Sequence, residues 1–581
     1  MLQKISGNDK NISKNNYFIP AISITVYIFI AVIISVVVKF AMATEDTNVS
    51  IASNSGEEAF FNGKYDVAIS EYASLQEKSD WPIWNLKISE IYSVQGSYKK
   101  SNELIQKVYD ARNKVIDTEI QKSEELLEQD IELTNNMVFN LYANGEYEKA
   151  LEYGELFLQS YPESEDLLKT MFAVYIANNN KDKAQSIIDT FASKEDDVEW
   201  LITAAKMNIL IEKYDKGVSL LEKAYKLDYD NVEILDTLEY AVRYNKNNIL
   251  NSITRLMDKD KNNSTYKLFL AKVYSMNASD ISKCEEIIDE LDDDFSHNIN
   301  YLFTKIKMYI NKDERKEADN ILEDIIADNE NTFIGEYAES LKLYYDKNYN
   351  EALKHAKKSI ILNRDYVKTY STLIPSILLE DKKSAEEEPY LRTALLKEPF
   401  NFDIIVTTAE YYQDIIKDSS RGLYYYTLAS KIQPNNGEVL YKMALIQHNN
   451  QRDDEAIALL KKSISVDNQE AKYHRTLGAI YLEKEKNEEG ISQIRKAYSI
   501  NEEDIGALNN AAYYYIYVEH DINRAMSNIK GAYEGIKENT PDSERQIITD
   551  NYNRIKVIYD SSRSNSSLRD NGVVSEVKLI Y

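Results

Sequence analysis

The stretch NGEYEKALEYGELFLQSYPES, Asn144 to Ser164, decides the fold. It opens on a short polar turn, places an aromatic residue after it, and sets Ala150 three positions further on. The same order returns, with an aromatic or polar residue after the turn, in NGKYDVAISEYASL (Asn62–Leu75), DKNYNEALKHAKKSIILNRD (Asp346–Asp365) and QRDDEAIALLKKSISVDNQE (Gln451–Glu470). A ruler of about 34 residues carries the pattern along the chain. The alanine recurs as Ala68, Ala184, Ala318, Ala352, Ala456 and Ala525, with Gly217, Gly422 and Gly490 in its place elsewhere. A second small residue follows seven positions later, as Ala224, Ser359, Ala394, Ala429, Ser463, Ala497 and Ala532. Two antiparallel helices approach closely only where small residues meet, and large residues fill the gaps between neighbouring pairs. No single pair buries its apolar face, so the array stabilises itself by stacking.

Prolines close several units at Pro162, Pro399 and Pro434; Tyr175, Tyr309, Tyr481 and Ile516 stand in the first helices nine residues before the small position, and Tyr344 stands eight before it. Together these features resemble the tetratricopeptide repeat. The resemblance implies an all-α superhelical solenoid over residues 51–560, built from about fourteen helix pairs and closed by a cap helix at Ser543–Tyr559. Two units are degenerate: Val232–Asn263, with Leu250 at the small position, and the next, with Lys283 there. Asp110–Asp130 fits no unit and reads as an extended or extra helix, a departure that could bend the solenoid or divide it into two blocks near 110–130. Pro375 falls inside a first helix and predicts a kink. Residues 561–581 read as a flexible tail; their end, VVSEVKLIY, has the makings of a strand added to a partner, with fraying as the preferred reading.

Composition agrees with helix throughout. Among 581 residues there are 16 Gly and 8 Pro, too few for turn-rich β folds or Gly-cradled phosphate sites. The net charge of −27 argues against nucleic-acid partners, which need a positive field. Cys284 stands alone, which excludes a disulfide within the chain and a Cys-ligated metal site. The wealth of Asn, Lys, Ile and Tyr resembles the bias of AT-rich bacteria.

Tyr17–Val38 is free of charge and as a helix spans about 33 Å, enough for a bilayer core of about 30 Å. Lys4, Lys10 and Lys14 precede it and Lys39 alone follows closely, so residues 1–16 are expected in the cytoplasm and the solenoid outside, joined by a linker over 39–50. That makes the chain a single-pass cell-membrane protein, with Tyr17–Val38 as a retained anchor. The AMA at Ala41–Ala43 keeps open the alternative of a signal peptide cut after Ala43.

No catalytic motif emerges. His297, His355, His448, His474 and His520 form no metal-ligand spacing, the turn at Gly63–Tyr65 lacks the rest of a phosphate loop, and no GxSxG elbow is present. DELDDD, Asp289–Asp294, lacks the alternating ligands and glycine of a calcium loop and reads as a solvated inter-helix turn. The expectation is a chain that is not an enzyme and uses no metal or cofactor.

In the family that the chain resembles, first helices line the concave face where partners lie. The resemblance places Phe139, Tyr142, Lys169, Lys206, Phe303 and Lys307 there. Lys342, Tyr345, Tyr441, His448, Arg475, Tyr514 and Tyr517 continue the set. Aromatics with interspersed cations suit an extended peptide. The expected function is a membrane-anchored, extracytoplasmic scaffold or assembly factor for other proteins. The alternative is a repeat component of an envelope polymer or exopolysaccharide export system.

Overall fold

The computed structural model describes residues 49–119, 124–261, 263–563 and 576–581. Among these residues it is all-α, with twenty-eight α-helices and no strand. The chain opens with α1 (Ser55–Phe61) and α2 (Tyr65–Gln76), α3 (Ile83–Val94) and α4 (Tyr98–Glu119), and α5 (Glu124–Ala143) and α6 (Tyr147–Ser160). It continues with α7 (Glu165–Ala177) and α8 (Lys181–Ala192), then α9 (Val198–Leu210) and α10 (Tyr214–Leu227). The long α11 (Glu233–Lys259) serves as both members of the sixth pair. Beyond it lie α12 (Ser264–Ser275) and α13 (Ile281–Phe295), α14 (Ile299–Asn311) and α15 (Arg315–Asp328), and α16 (Phe333–Tyr345) and α17 (Tyr349–Leu362). A π-helical turn at Thr369–Leu373 leads into α18 (Ile374–Glu380), which pairs with α19 (Glu388–Lys397). Then α20 (Phe402–Glu410), extended by a second π-helical turn, pairs with α21 (Ser419–Ile432). The last pairs are α22 (Gly437–Asn449) with α23 (Asp453–Val466), α24 (Ala471–Glu483) with α25 (Asn487–Ile500), and α26 (Ile505–Tyr517) with α27 (Ile522–Glu534). The cap, α28 (Asp542–Arg563), closes the array.

The small residues do what their spacing requires. Ala68, Ala150, Ala318, Ala352, Ala456 and Ala525 are wholly buried between paired helices. A Cβ on Gly217 would stand 2.5 Å from Ile209 Cγ1, so the glycine permits that close approach. Many first helices start on side-chain caps: Asp197 accepts from the Trp200 N–H, Asn436 from Val439 and Asp504 from Ala507. They stop on a residue with left-handed backbone, which appears at Gly63, Gly96, Gly145, Asn179, Glu212 and Asp313 and again at Lys347, Lys382, Lys417, Gln451, Glu485 and His520. The Lys213 N–H then reaches back to Asn208 O at 2.8 Å, closing the helix end with its own carbonyls.

The sixth and seventh pairs lack that stop, and they are the units whose sequence is degenerate. In the sixth the chain bends at Asn245 (φ −133°, ψ 30°) and continues as helix. Of the stretch over 110–130, residues 110–119 end α4 and residues 124–130 begin α5, and Arg112 and Asp130 join the two helices in a buried ion pair. The kink expected from Pro375 takes the form of the π-helical turn before α18, where the Ile374 N–H bonds to Thr369 O. Asp289–Asp294 lies within α13 and not in an inter-helix turn.

No helix among the described residues is long and apolar enough to cross a membrane. The reason is visible in the longest, α11, which carries Glu233, Asp236, Arg243, Lys246 and Arg255 along its length. Tyr17–Val38, the tail before it and the Ala43 cut lie outside the described residues. The expected localisation, a single-pass membrane protein with an exported solenoid, is corrected on this finding: what is shown is a helical solenoid only.

Candidate functional site

The first helices line the inner face, and over the first six pairs the chain itself occupies that face. Residues 364–432 lie against it. Tyr142 donates to Pro399 O at 3.1 Å, Tyr424 to Ala143 O at 2.6 Å, Arg421 to Val94 O at 3.0 Å and Tyr65 to Glu388 at 2.8 Å. Arg392 donates to Asn140 and sets its guanidinium 4.5 Å over the Phe139 ring. Lys206 holds Glu233 at 3.0 Å and Glu398 at 2.6 Å. Burial opposes the charge of Lys206, but the two carboxylates keep its ammonium well above the usual range. Arg243 spans to Asp403 and Glu410, each at 2.9 Å.

The winding leaves two adjoining cavities in the middle of the inner face. One, of 630 Å³, lies between α11, α18 and α20; the other, of 300 Å³, lies between α11, α14 and α16. Phe303, Lys307 and Tyr345 line the smaller one. Lys307 has no ion-pair partner among the described residues, and burial pushes its ammonium down from the usual lysine range. Lys342 pairs instead with Glu323 at 2.8 Å, and Lys169 with Glu165 at 2.5 Å. Glu387, on the wall of the larger cavity, is pushed up to about 7 by burial, and its Oε1 has no hydrogen-bond partner.

The inner face of the last three pairs and the cap is different, because there it holds an extended segment, Glu576–Tyr581. Asn510 on α26 accepts from the Ile580 N–H at 2.8 Å and donates to its carbonyl at 2.6 Å. Asn551 on α28 does the same for Lys578, accepting at 3.0 Å and donating at 2.8 Å. Asn509 adds a donor to Lys578 O at 2.9 Å. An amide side chain offers both an acceptor and a donor, so Asn510 and Asn551 each pair with the N–H and C=O of one residue as a neighbouring strand would. The two units so held are alternate residues, the repeat of extended chain.

Side chains on this segment alternate accordingly. Val577 and Leu579 are buried while Glu576 and Lys578 face out. Ile580 is buried as well, with Val577, against Ala512, Ile529, Ile548 and Ile555. Leu579 packs with Ala479, Ile494, Ala511 and Tyr514. The Tyr581 ring lies 4.5 Å from His448, and its hydroxyl donates to Glu483. Burial, and then Glu483, push that hydroxyl well above its ordinary range. Arg475 donates to Tyr581 O at 3.3 Å while pairing with Asp504 at 2.8 Å. Burial works against the Arg475 charge, and Asp504 holds it protonated. Tyr517 accepts the Val577 N–H at 2.8 Å.

The thirteen sequence-chosen residues thus fall into three places. Phe139, Tyr142, Lys169 and Lys206 belong to the first units, which the chain covers; Phe303, Lys307, Lys342 and Tyr345 belong to the middle. Tyr441, His448, Arg475, Tyr514 and Tyr517 lie around the docked segment: His448, Arg475 and Tyr517 touch it, Tyr514 shares its core, and the Tyr441 ring lies 5.2 Å from that of Tyr473, tilted at 38°. The residues that sequence reasoning missed are Asn509, Asn510, Asn551 and Glu483. A signal was present in IGALNNAAYYYIY, where two adjacent amides interrupt an otherwise apolar helix. No such mark singles out Asn551 in the polar α28.

No family model matches the chain. It is 21% identical over 336 residues to the DnaJ homolog subfamily C member 7 homolog of Dictyostelium discoideum, a match covering 57% of this chain and 55% of that protein. The chain therefore spans about half the length of the curated relative it matches. Among solved structures it is similar to one described as the APC/C hetero-tetramer Cut9–Hcn1, at 12% identity and a TM-score of 0.36, with 86% of this chain and 95% of that one covered. It is also similar to Pseudomonas aeruginosa PilF, at 11% identity and a TM-score of 0.30, over 37% of this chain and 96% of that one. A third is YrrB, described as a TPR protein with an unusual peptide-binding site, at 14% identity and a TM-score of 0.26, over 32% and 93%. Neither a bacterial source nor a membrane anchor gains support from these likenesses, and the solenoid stands on the helix pairs themselves.

Proposed function

We propose that this chain is a protein–protein interaction scaffold whose inner face, over α22–α28, holds extended peptide segments. One observation carries the reading: Glu576–Tyr581 lies there with the backbone N–H and C=O of two alternate residues, Lys578 and Ile580, paired to asparagine side chains. Such pairing reads backbone and leaves specificity to the pockets beneath alternate side chains. The docked segment buries Val577, Leu579 and Ile580, so the face supplies apolar area as well as hydrogen bonds.

A random-peptide library displayed on phage and selected against the immobilised chain, with its own segment taken off the face by Leu579→Asp and Ile580→Asp, tests the reading. Enriched peptides are expected to bind with micromolar affinity and to lose at least tenfold when Asn510→Ala and Asn551→Ala are combined. Peptides that bind regardless of those asparagines, or none enriched at all, would overturn it.

A further inference from the structure

The segment in the groove belongs to the same chain that bears the groove, and this bears on both the partner and its control. The inference rests on the peptide-binding reading above and concerns what that face takes and what opposes it. Residues 564–575 connect the end of α28 to Glu576, so the segment is tethered beside its own binding face. A short tether of that kind gives a local concentration on the order of millimolar. At the same time nothing in the segment is threaded or covalently fixed. It is held by hydrogen bonds to side chains, by three apolar side chains and by one ring.

The contacts divide into two kinds. Asn509, Asn510 and Asn551 bond main-chain atoms only, and would do so for any extended sequence. Selection falls to the side chains: apolar at the place of Val577, apolar at those of Leu579 and Ile580, and an aromatic hydroxyl at that of Tyr581. Glu483 accepts from that hydroxyl and His448 meets the ring. Glu576 and Lys578 face outward, so their positions are free to vary.

We propose that the groove over α22–α28 takes from a partner protein an extended segment of the form apolar–any–apolar–apolar–tyrosine, and that Glu576–Tyr581 is its built-in competitor. The partner must displace the chain's own segment, and the groove is closed to weak or dilute ligands until it does. With a tethered competitor at millimolar local concentration and a free peptide binding in the range of tens of micromolar, self-occupancy weakens apparent affinity by about 10–100-fold.

The test uses the full chain and a fluorescein-labelled synthetic peptide EVKLIY, read by anisotropy. In one variant Leu579→Asp and Ile580→Asp eject the chain's own segment; in a second, milder one both positions become Ala. The groove is unchanged in both, and thermal unfolding checks that each folds. At least tenfold tighter probe binding by these variants than by the unaltered chain is expected, as is its loss when Asn510→Ala is added. Equal binding by unaltered and ejected chains would overturn the competitor while leaving the groove reading intact. Failure of EVKLIY to bind the ejected chain, where a library-selected peptide does bind, would overturn the partner class. Failure of both peptides would instead sink the peptide-groove reading. A dimer in the unaltered chain that dissolves in the ejected variants would show that the segment serves a second copy, which also overturns the proposal.

Discussion

Single residues in this molecule carry charge states set by where the winding puts them. Glu387 is an example: burial pushes its carboxyl up to about 7, and one of its oxygens is without a partner. In the unfolded chain the same group ionises near 4.5. The folded chain therefore keeps a proton that the unfolded chain has lost. Its contribution is present in full below pH 4.5 and disappears as pH rises through about 7. Glu387→Gln, which mimics the protonated form, is expected to stabilise the protein at pH 8 by on the order of 2 kcal/mol and to do little at pH 4.5. Urea unfolding at the two pH values measures the difference. Nothing in the sequence around Glu387 announces this, since EEE at 386–388 looks like any solvated run. The asparagine pair at 509–510 was legible as an oddity, but its use depends on a segment seventy residues away reaching it.

At the scale of the element, the sequence was read most fully. The helix pairs, the small residues between them and the cap follow from spacing, because close packing of two helices favours small residues at those positions, with Leu250 and Lys283 as the departures. The left-handed stops were only partly visible. Gly63, Gly96 and Gly145 announce a turn, whereas Lys347, Gln451 and Glu485 adopt the same backbone at a cost that a side chain ordinarily avoids. Their φ is imposed by the carbonyls of the preceding helix, which need the donors of the next two residues. Replacing exposed Lys347 by Gly removes that cost against a smaller loss of unfolded-chain restriction. Lys347→Gly is expected to raise stability by about 0.5–1 kcal/mol, seen as a shift of the urea midpoint with an unchanged slope. A loss of stability would mean that the lysine side chain contributes more than its exposure suggests.

At the scale of the whole molecule, the inner face that spacing alone would leave open from end to end is partly filled by the chain. Sequence periodicity reports how one pair stacks on the next and is silent about what meets after a full superhelical turn. That is why Phe139, Tyr142 and Lys206 were read as ligand positions and are found in contact with residues 392–400. Lys206 is the sharpest test of this closure, since it neutralises two carboxylates on two parts of the superhelix. Lys206→Met should cost about 3 kcal/mol by leaving buried charge uncompensated, and adding Glu398→Gln should recover most of it. Thermal unfolding measures both, and a strictly local role would show instead as a loss that Glu398→Gln leaves untouched.

The same closure separates this chain from an ordinary linear array in the order of its making. A simple solenoid can fold unit by unit as it leaves the ribosome, each pair needing only its predecessor. Here the first six pairs are complete long before residues 364–432 exist to cover them. For the time needed to add more than a hundred residues, at about 5–20 residues per second, an apolar inner face stands open to whatever else is nearby. The nascent chain therefore passes through a stage in which that face is uncovered, and mature stability arrives late, when the superhelix closes on its own beginning.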